Sequence, residues 1–549
     1  MDIRGRRHRT SITGSKGGFL IALSVVLALV VAACGSTDEP TAESTTTTAA
    51  PSGSSTTSAA TETTTGGDAG DGRAESQDLT IGMGAILRNF DPASTQGIND
   101  YVAIRMVYDA LTTLDNGAPE PWAAESWEAV SPTQWRFKLR EGMRFTNGEP
   151  FDAEAVRYTF QRALDSADNP WRVRIEALES MTIVDDLTVE FNLSKPVGNW
   201  PSRVAIVWIV PPVYTESNDI TLNPLGSGPF KVESFTPGEE VVYSANPDWW
   251  RDAPTLESVT LRAIPENATR VATLLAGDID VAYKILPDQV PQVEDAGYVL
   301  DSVPSGFLAN IFFQSSRLDE PIGDVRVRQA IDFAIDKEGI REFIAGGYGG
   351  DVQGQAVGPN SIGHNPDVTA RPYDPDRARE LLAEAGYADG LTIGFDYSVG
   401  RYFADKEIAE AVIGYLAAVG IIVEANPMEG GAWLDKIYTG EWGPISFWSY
   451  QDAPFYDLSI TTEIFKSDGF RKITADTEID RYIDESFSIT DPQERADHLA
   501  EYGKYLVDNA YIVPLFHDPG LYAYAPNVRD IVILPSTMIN LWDTYLADE

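Results

Sequence analysis

The sequence predicts a mixed α/β protein with a ligand-facing loop at the edge of a sheet. Residues 79–83 are patterned as a strand, and residues 101–111 place apolar side chains at helical spacing. Residues 445–457, ISFWSYQDAPFYD, begin as a strand and break at Trp448 into aromatic and polar residues. Aromatic rings, an amide and carboxylates just past a strand are typical of a binding loop in an α/β sheet. The alternative is an ordinary corner whose aromatic rings pack into the core.

Length, composition and charge narrow the class of protein. The chain has 549 residues, of which 43% are hydrophobic and 23% charged, and its formal net charge is −42. These values are typical of a soluble globular body of two or three domains. A charge this negative argues against nucleic acid or anionic lipid as a partner.

The first residues have the pattern of an export signal. Basic residues precede an uncharged apolar run at 19–33, which is short for a membrane span. Small residues then lead to Cys34, the single cysteine of the chain. This arrangement resembles a bacterial lipobox, which implies removal of residues 1–33 as a signal peptide and a lipid on Cys34. The alternative is a plain secretory signal in which Cys34 has no role.

Residues 34–76 are expected to be a linker. They are rich in Thr, Ser, Ala and Gly and contain almost no bulky apolar side chain, so they cannot bury enough surface to fold. A lipid, a linker and a globular body together predict a protein anchored to the outer face of the cell membrane, with its working part outside the cytoplasm.

No motif predicts catalysis, a metal site or a cofactor. The four histidines, at positions 8, 364, 498 and 517, are too scattered to indicate a metal cluster. The carboxylates are too numerous for any pair to stand out as an acid and a base. We therefore expect a chain that is not an enzyme, with no metal and no cofactor.

Seven blocks in order resemble one known family. They include PWAAESWE at 121–128 and WRFKLREGMRFTNGEPFDAEAVRYTFQRAL at 135–164, followed by GSGPFK at 226–231 and NPDWW at 246–250. Further blocks lie at 275–280, 324–336 and 373–387. The chain resembles the family 5 extracellular solute-binding proteins of ABC importers, which take up dipeptides, oligopeptides or nickel.

The resemblance implies a two-lobed periplasmic-binding-protein-like fold of class II, or cluster C, with three domains, a hinge and a ligand cleft between the lobes. Domain I is expected at 77–115, 223–308 and 518–549, domain II at 116–222, and domain III at 309–517. Strand-like segments at 307–313 and 511–516 are expected to form the hinge.

The resemblance also implies site residues. Dipeptide binders of the family carry an arginine after the strand that corresponds to residues 391–395, and Arg401 followed by Tyr402 matches this position. A guanidinium suits a ligand carboxylate because it donates two parallel hydrogen bonds. The alternative is a surface arginine in an acidic protein.

The loop after residue 445 departs from the dipeptide pattern. Trp448 matches the family's tryptophan, and Tyr450 is expected to be a second wall of the site, but Gln451 stands where an aspartate takes the peptide ammonium. A neutral amide cannot replace that carboxylate. Either Asp452 has taken this role or the ligand is not an ordinary peptide. Asn89 and Phe90 are expected to face this loop across the cleft.

The resulting hypothesis is a monomeric, lipid-anchored substrate-binding protein of an ABC importer. It would capture a peptide or similar small polar solute by hinge closure and deliver it to the permease subunits. Nickel is disfavoured because no histidine is expected near the cleft. Two alternatives stay open: an extracellular solute sensor that is not coupled to import, and a surface hydrolase.

Overall fold

The computed structural model describes residues 72–548, apart from 95–97, 116, 167–168, 170–171 and 453. Strands and helices alternate through this range, which confirms the predicted mixed α/β class. The predicted signal peptide, the lipid on Cys34 and most of the linker lie outside the described residues.

A ten-stranded sheet runs through the body. Its strands lie in the order Ile421–Glu429, Leu391–Val399, Ile445–Gln451, Val299–Phe313, Ile512–Tyr524, Val281–Ala282, Asp78–Met83, Ser258–Ala263, Glu240–Ala245 and Phe230–Thr236. Most connections cross between strands that are distant in sequence. The three strands 391–399, 421–429 and 445–451 are mutually parallel, so their carboxyl ends meet at one edge.

Two long antiparallel strands cross the middle of this sheet. Val299–Phe313 pairs along its length with Ile512–Tyr524. Their register shifts between Pro304 and Leu308 and again between Ala309 and Asn310. Both segments predicted to form the hinge, 307–313 and 511–516, lie in or at the start of these strands. An irregular ladder bends more readily than a regular one, because it leaves residues outside the pairing.

A separate four-stranded antiparallel sheet consists of Ala124–Ser131, Gln134–Leu139, Thr188–Leu193 and Leu178–Asp185. Side chains alternate along Gln134–Leu139: Trp135, Phe137 and Leu139 are buried, and the residues between them are not. Three two-stranded pairs complete the strands: Thr112–Thr113 with Glu120–Pro121, Val528–Arg529 with Tyr545–Leu546, and Val532–Ile533 with Ile539–Asn540.

Fifteen α-helices occur among the described residues: Ile98–Val107, Ala153–Asp165, Arg172–Ile175, Trp200–Arg203, Pro212–Ser217, Asn267–Leu275, Val290–Asp295, Val325–Ala334, Lys337–Ile344, Pro375–Glu384, Asp405–Ala418, Gly430–Thr439, Leu458–Thr461, Thr477–Ser488 and Pro492–Asp508. Carboxylates cap several amino ends. Asp152 caps the helix Ala153–Asp165 and accepts a hydrogen bond from the Ala155 amide at 2.9 Å. None of these helices has the length and apolar character needed to cross a membrane.

Buried apolar side chains gather into separate clusters. One draws on residues 79–110, 208–283 and 522–546, and a second on residues 111–209. Two more draw on residues 309–516, one of them around Phe312, Trp433, Trp442 and Trp448. The cluster around Trp448 lies beneath the carboxyl ends of the parallel strands, and it therefore supports the site described below. The boundaries of the three domains stay a prediction.

The strand at residue 445 is longer than predicted. It extends through Gln451 instead of breaking at Trp448. The reason is pairing, because Trp448 to Gln451 lie opposite Asn310 to Phe307 on the long central strand. The aromatic residues are therefore held in a ladder, and their positions are fixed by backbone hydrogen bonds.

The first and last described segments lie side by side. The Ala74 amide donates to the Leu546 carbonyl at 2.8 Å, and the Asp548 amide donates to the Gly72 carbonyl at 3.1 Å. The Gln77 side chain also donates to the Leu546 carbonyl at 2.9 Å. These contacts hold the last described residues next to Asp78–Met83, the first strand along the chain.

Candidate functional site

A cavity of about 370 Å³ opens at the carboxyl ends of the parallel strands. We call it the aromatic cavity. Its walls are Arg174, Phe307, Arg401, Tyr402, Trp433, Leu434, Ile437, Tyr438, Trp448, Ser449, Tyr450, Gln451, Asp452, Phe455, Ile460, Thr461 and Arg471. Six of the eight predicted site residues in the folded body are therefore brought together here. Aromatic walls with a few charged groups are typical of a small-molecule site.

The loop after the strand Leu391–Val399 presents Arg401. The buried carboxylate of Asp405 accepts hydrogen bonds from the Gly400 and Arg401 amides, each at 2.9 Å, and from the Tyr402 amide at 3.2 Å. Gly400 has a φ of +79°, which a residue with a Cβ rarely adopts. This loop is thus set by Asp405 and Gly400, while the Arg401 guanidinium lies over the Tyr402 ring at 5.2 Å and the Trp433 ring at 5.9 Å.

Trp448 belongs both to the core and to the cavity wall. Only 2% of its surface is exposed, and its ring stacks on Phe312 with centroids 4.2 Å apart. It also meets Trp433 edge-on at 5.9 Å. Trp448 therefore packs in the core and also borders the cavity, and its role in ligand binding stays a prediction. Tyr450 and Gln451 follow on the same strand, are half-buried and border the same cavity.

Asp452 is the carboxylate of the aromatic cavity. It is 4% exposed, and its Oδ2 accepts hydrogen bonds from the Gly358 amide at 2.8 Å and the Ser361 hydroxyl at 2.9 Å. Its Oδ1 has no hydrogen-bond partner within the described part of the chain. A buried carboxylate oxygen without a donor is costly, so a ligand donor would stabilise it. This is the property that an ammonium-binding residue needs.

A second cavity, of about 380 Å³, borders Phe307, Arg401 and Tyr402 as well. We call it the hinge cavity, because Ser305 and Asp518 of the two long central strands also line it. The Ser449 hydroxyl donates to Asp518 Oδ2 at 2.7 Å. Burial raises the pKa of Asp518 from its usual 3.8 to about 7, a rise that the Ser449 hydrogen bond and the charge of Lys284 oppose.

Lys284 lies across the hinge cavity from residues 401–403. Burial lowers the pKa of its ammonium from 10.5 to about 8, and the charge of Asp518 opposes that shift. The two groups therefore have pKa values that approach each other near neutral pH. Their charge states are linked to the packing around the long central strand Ile512–Tyr524, which carries Asp518.

A third cavity, of about 280 Å³, is lined by Ser305, Ser361, Asp452, Tyr456 and His517, among others. Successive residues of a strand point to opposite faces, so His517 lines this cavity while Asp518 lines the hinge cavity. His517 Nδ1 is 3.0 Å from the Ser305 carbonyl. A histidine therefore lies close to Asp452, where the sequence led us to expect none.

Asn89 and Phe90 lie elsewhere. Phe90 is fully buried and packs edge-on against Phe235 at 4.9 Å, and the Asn89 side chain accepts a hydrogen bond from the Ser94 hydroxyl at 2.9 Å. Neither residue lines the three cavities. Sequence order suggested a loop opposite Trp448, but the apolar Phe90 ring is held in the core and Asn89 closes a local turn.

Sequence reasoning missed several residues of the cavity walls. Arg471 follows Gly469 and Phe470 in an irregular segment, and Arg174 lies on a one-turn helix, so neither has a pattern around it. Trp433 lies on the buried face of the helix Gly430–Thr439. Only Trp433 had a usable signal, because a tryptophan in a short helix that follows a parallel strand belongs near the strand ends.

Metal chemistry has no obvious donor set at this site. Within residues 72–548 and their stated gaps, His, Cys, Asp and Glu side chains form no group of three that could hold a metal ion. The aromatic cavity instead offers guanidinium groups, aromatic faces and one carboxylate. These groups can bind an organic solute by charge and stacking without any reaction.

This chain aligns with most of the length of two curated relatives. The glutathione-binding protein GsiB of Pectobacterium atrosepticum is 28% identical over 364 residues, which are 65% of this chain and 70% of the relative. The probable D,D-dipeptide-binding periplasmic protein DdpA of Escherichia coli is 28% identical over 483 residues, which are 83% of this chain and 92% of the relative.

The fold matches solved binding proteins. NikA of Brucella suis, solved in complex with Fe(III)-EDTA, superposes with a TM-score of 0.76 at 24% identity, over 85% of this chain and 99% of NikA. The two-lobed periplasmic-binding-protein fold expected from the sequence is therefore confirmed, since the superposition spans 85% of this chain. The family of bacterial extracellular solute-binding proteins, family 5 (middle region), matches residues 118–470, more than half of the chain. This chain belongs to that family of binding proteins.

Proposed function

We propose that this chain is the substrate-binding component of an ABC importer for a peptide or a similar small polar solute. It captures the solute in the aromatic and hinge cavities, closes by bending at the two long central strands, and delivers the solute to permease subunits. The chain acts as a monomer on the outer face of the cell membrane, held by a lipid on Cys34 after removal of residues 1–33. It binds its cargo without changing it chemically.

The observation that carries this proposal is the convergence of Arg401 and Asp452 on one cavity. Arg401 supplies a guanidinium for a carboxylate, and Asp452 supplies a carboxylate oxygen that lacks a donor. A zwitterionic solute of peptide type presents the complementary charges at its two ends. The names of the two relatives, which refer to glutathione and a D,D-dipeptide, agree with a ligand of this chemistry.

The domain boundaries belong to the same proposal. Residues 77–115, 223–308 and 518–549 would form domain I, residues 116–222 domain II, and residues 309–517 domain III. The register shifts between Pro304 and Asn310 support a hinge at the junction of domains I and III. Closure there excludes water from the cavities and strengthens the charge contacts.

Native mass spectrometry of a soluble form that begins near Glu75 tests this function. We expect a co-purifying solute that is released intact on unfolding and that rebinds in calorimetry. Recovery of a chemically altered solute after incubation would contradict a binding role. A second form with Arg401→Ala and Asp452→Asn serves as the matched control, and it should purify without the solute.

A further inference from the structure

We propose that Arg471 is a second anion-binding residue of the aromatic cavity, and that the cargo carries two acidic groups joined by a segment that packs on aromatic rings. This inference rests on the proposed function and specifies its ligand. It depends on the environment of Arg471, on the contrast with other arginines, and on the position of Arg401.

Arg471 lies in a cage of aromatic rings. Its guanidinium carbon is 5.4 Å from the Tyr438 centroid, 5.5 Å from Trp448, 5.9 Å from Tyr450 and 5.4 Å from Phe470. Its Nε is buried and has no hydrogen-bond partner among the described residues. The rings stabilise the positive charge, but they accept none of its strong directional hydrogen bonds.

Carboxylates do not neutralise Arg471. Its side chain forms no ion pair with any described Asp or Glu, although Asp and Glu outnumber Lys and Arg by 83 to 41 in the chain. Arg174, in the same cavity wall, is paired with Glu463 at 2.8 Å. A partly desolvated cation without an anion is unfavourable, and an incoming anion removes that penalty.

Arg401 is a second guanidinium in the wall of the aromatic cavity, and it is exposed. It also has no ion-pair partner among the residues described, and it contacts the Trp433 ring, whereas Arg471 contacts the Trp448 ring. These two indoles meet edge-on at 5.9 Å. The guanidinium groups are thus associated with different rings of one aromatic pair, and a single carboxylate bound at Arg401 leaves Arg471 unmatched.

These contacts define the ligand class. One acidic group pairs with Arg401, a second pairs with Arg471, and the segment between them stacks on the indole and phenol rings. An ammonium on the same molecule faces the unpartnered oxygen of Asp452. The cargo is therefore an acidic, zwitterionic solute such as a peptide with one additional carboxylate.

Calorimetry of the full chain in detergent with the dipeptides Glu-Tyr and Gln-Tyr tests this. The two probes differ only in the second carboxylate. We expect the unsubstituted chain to bind Glu-Tyr about tenfold more tightly, the effect of one charged hydrogen bond. In Arg471→Gln the preference disappears, and both probes bind with the affinity that the unsubstituted chain shows for Gln-Tyr. Arg471→Lys retains part of the preference, because it keeps the charge.

Arg251 provides the matched control. Its guanidinium lies 5.0 Å from the Trp122 centroid and 5.4 Å from Trp249, so it is also surrounded by rings, but it lines none of the three cavities. Arg251→Gln should keep the tenfold preference. Equal affinity of the unsubstituted chain for both probes overturns the inference and leaves the proposed function intact. Failure of both probes to bind counts against peptide cargo and overturns both.

Discussion

Two groups of charged side chains within residues 309–517 differ in whether the fold supplies an oppositely charged partner. In the interior, fully buried Asp457 accepts hydrogen bonds from Arg495 at 2.6 and 3.0 Å and from the Ser459 hydroxyl at 2.6 Å. At the aromatic cavity, Arg401 and Arg471 contact rings and no described carboxylate. The interior pair is satisfied within the fold, whereas Arg401 and Arg471 have no anionic partner among the described residues.

The pKa of Asp457 shows the effect of full pairing. Burial by itself raises this pKa, and the charge and hydrogen bonds of Arg495 more than compensate, so the pKa lies below its usual value. Asp518 at the hinge cavity has only one hydroxyl donor and a more distant cation, and its pKa is raised. The two buried carboxylates therefore differ in pKa because they differ in their partners within the fold. The following four changes test that distinction, beginning with the largest expected effect.

Removing the buried guanidinium of Arg495 should give the largest loss of stability. Arg495→Met leaves Asp457 buried without its partner, and we expect a loss of about 3–5 kcal/mol in the free energy of unfolding, measured with urea. Arg481→Met is the control, since its partners Glu478 and Glu485 lie on the surface of one helix, and it should change stability little. Equal losses in both variants would contradict the contrast between interior and surface charges.

Asp518→Asn should change how stability depends on pH. Between about pH 4 and 7 folded Asp518 keeps a proton that the unfolded chain has lost, so its contribution to stability falls as the pH rises through this window. From pH 4 to 7 the stability of the unsubstituted chain should therefore fall relative to Asp518→Asn, by at most about 4 kcal/mol. Urea titrations at several pH values measure this. Exposed Asp319, changed to Asn, should not alter the pH dependence.

Arg401→Ala should weaken the binding of anionic ligands by about tenfold to a hundredfold, because one charged contact is lost. The free energy of unfolding should change by less than about 0.5 kcal/mol, since the side chain is exposed and forms no ion pair with a described residue. Arg401→Lys should fall between, because it keeps the charge but not the planar pair of donors. Unchanged calorimetric affinity would remove Arg401 from the site.

Asp452→Asn should have the smallest effect. The amide oxygen can still accept from the Gly358 amide and the Ser361 hydroxyl, so the local structure is kept. We expect about tenfold weaker binding of a peptide with a free amino end and no change for its N-acetyl form. Asp351→Asn, in the wall of the third cavity, is the control and should leave both affinities unchanged. Equal weakening for both peptides would show that Asp452 does not bind the ammonium group.

More of the fold than of the candidate site could be predicted from the sequence. The strand pattern at 79–83, the helical spacing at 101–111 and the ordered motifs predicted the α/β class, because these depend on local patterns. Arg401 and the residues Trp448 to Asp452 were expected in one site because the chain resembles a known family, and all of them line the aromatic cavity. Arg471 could not be predicted, because a cage built from Tyr438, Trp448 and Phe470 depends on tertiary packing. Phe90 was misplaced for the same reason.

Residues 72–74 lie close to residues 546–548, and this allows the connectivity of the chain to be changed. A short linker can join these segments, since backbone hydrogen bonds already connect them. New ends opened at the exposed turn of Glu141 and Gly142 would leave both hinge strands unbroken. Circular permutants of this kind are tolerated where surface turns are cut and the joined ends are adjacent. The order of segments along the chain is therefore separable from the sheet that they build.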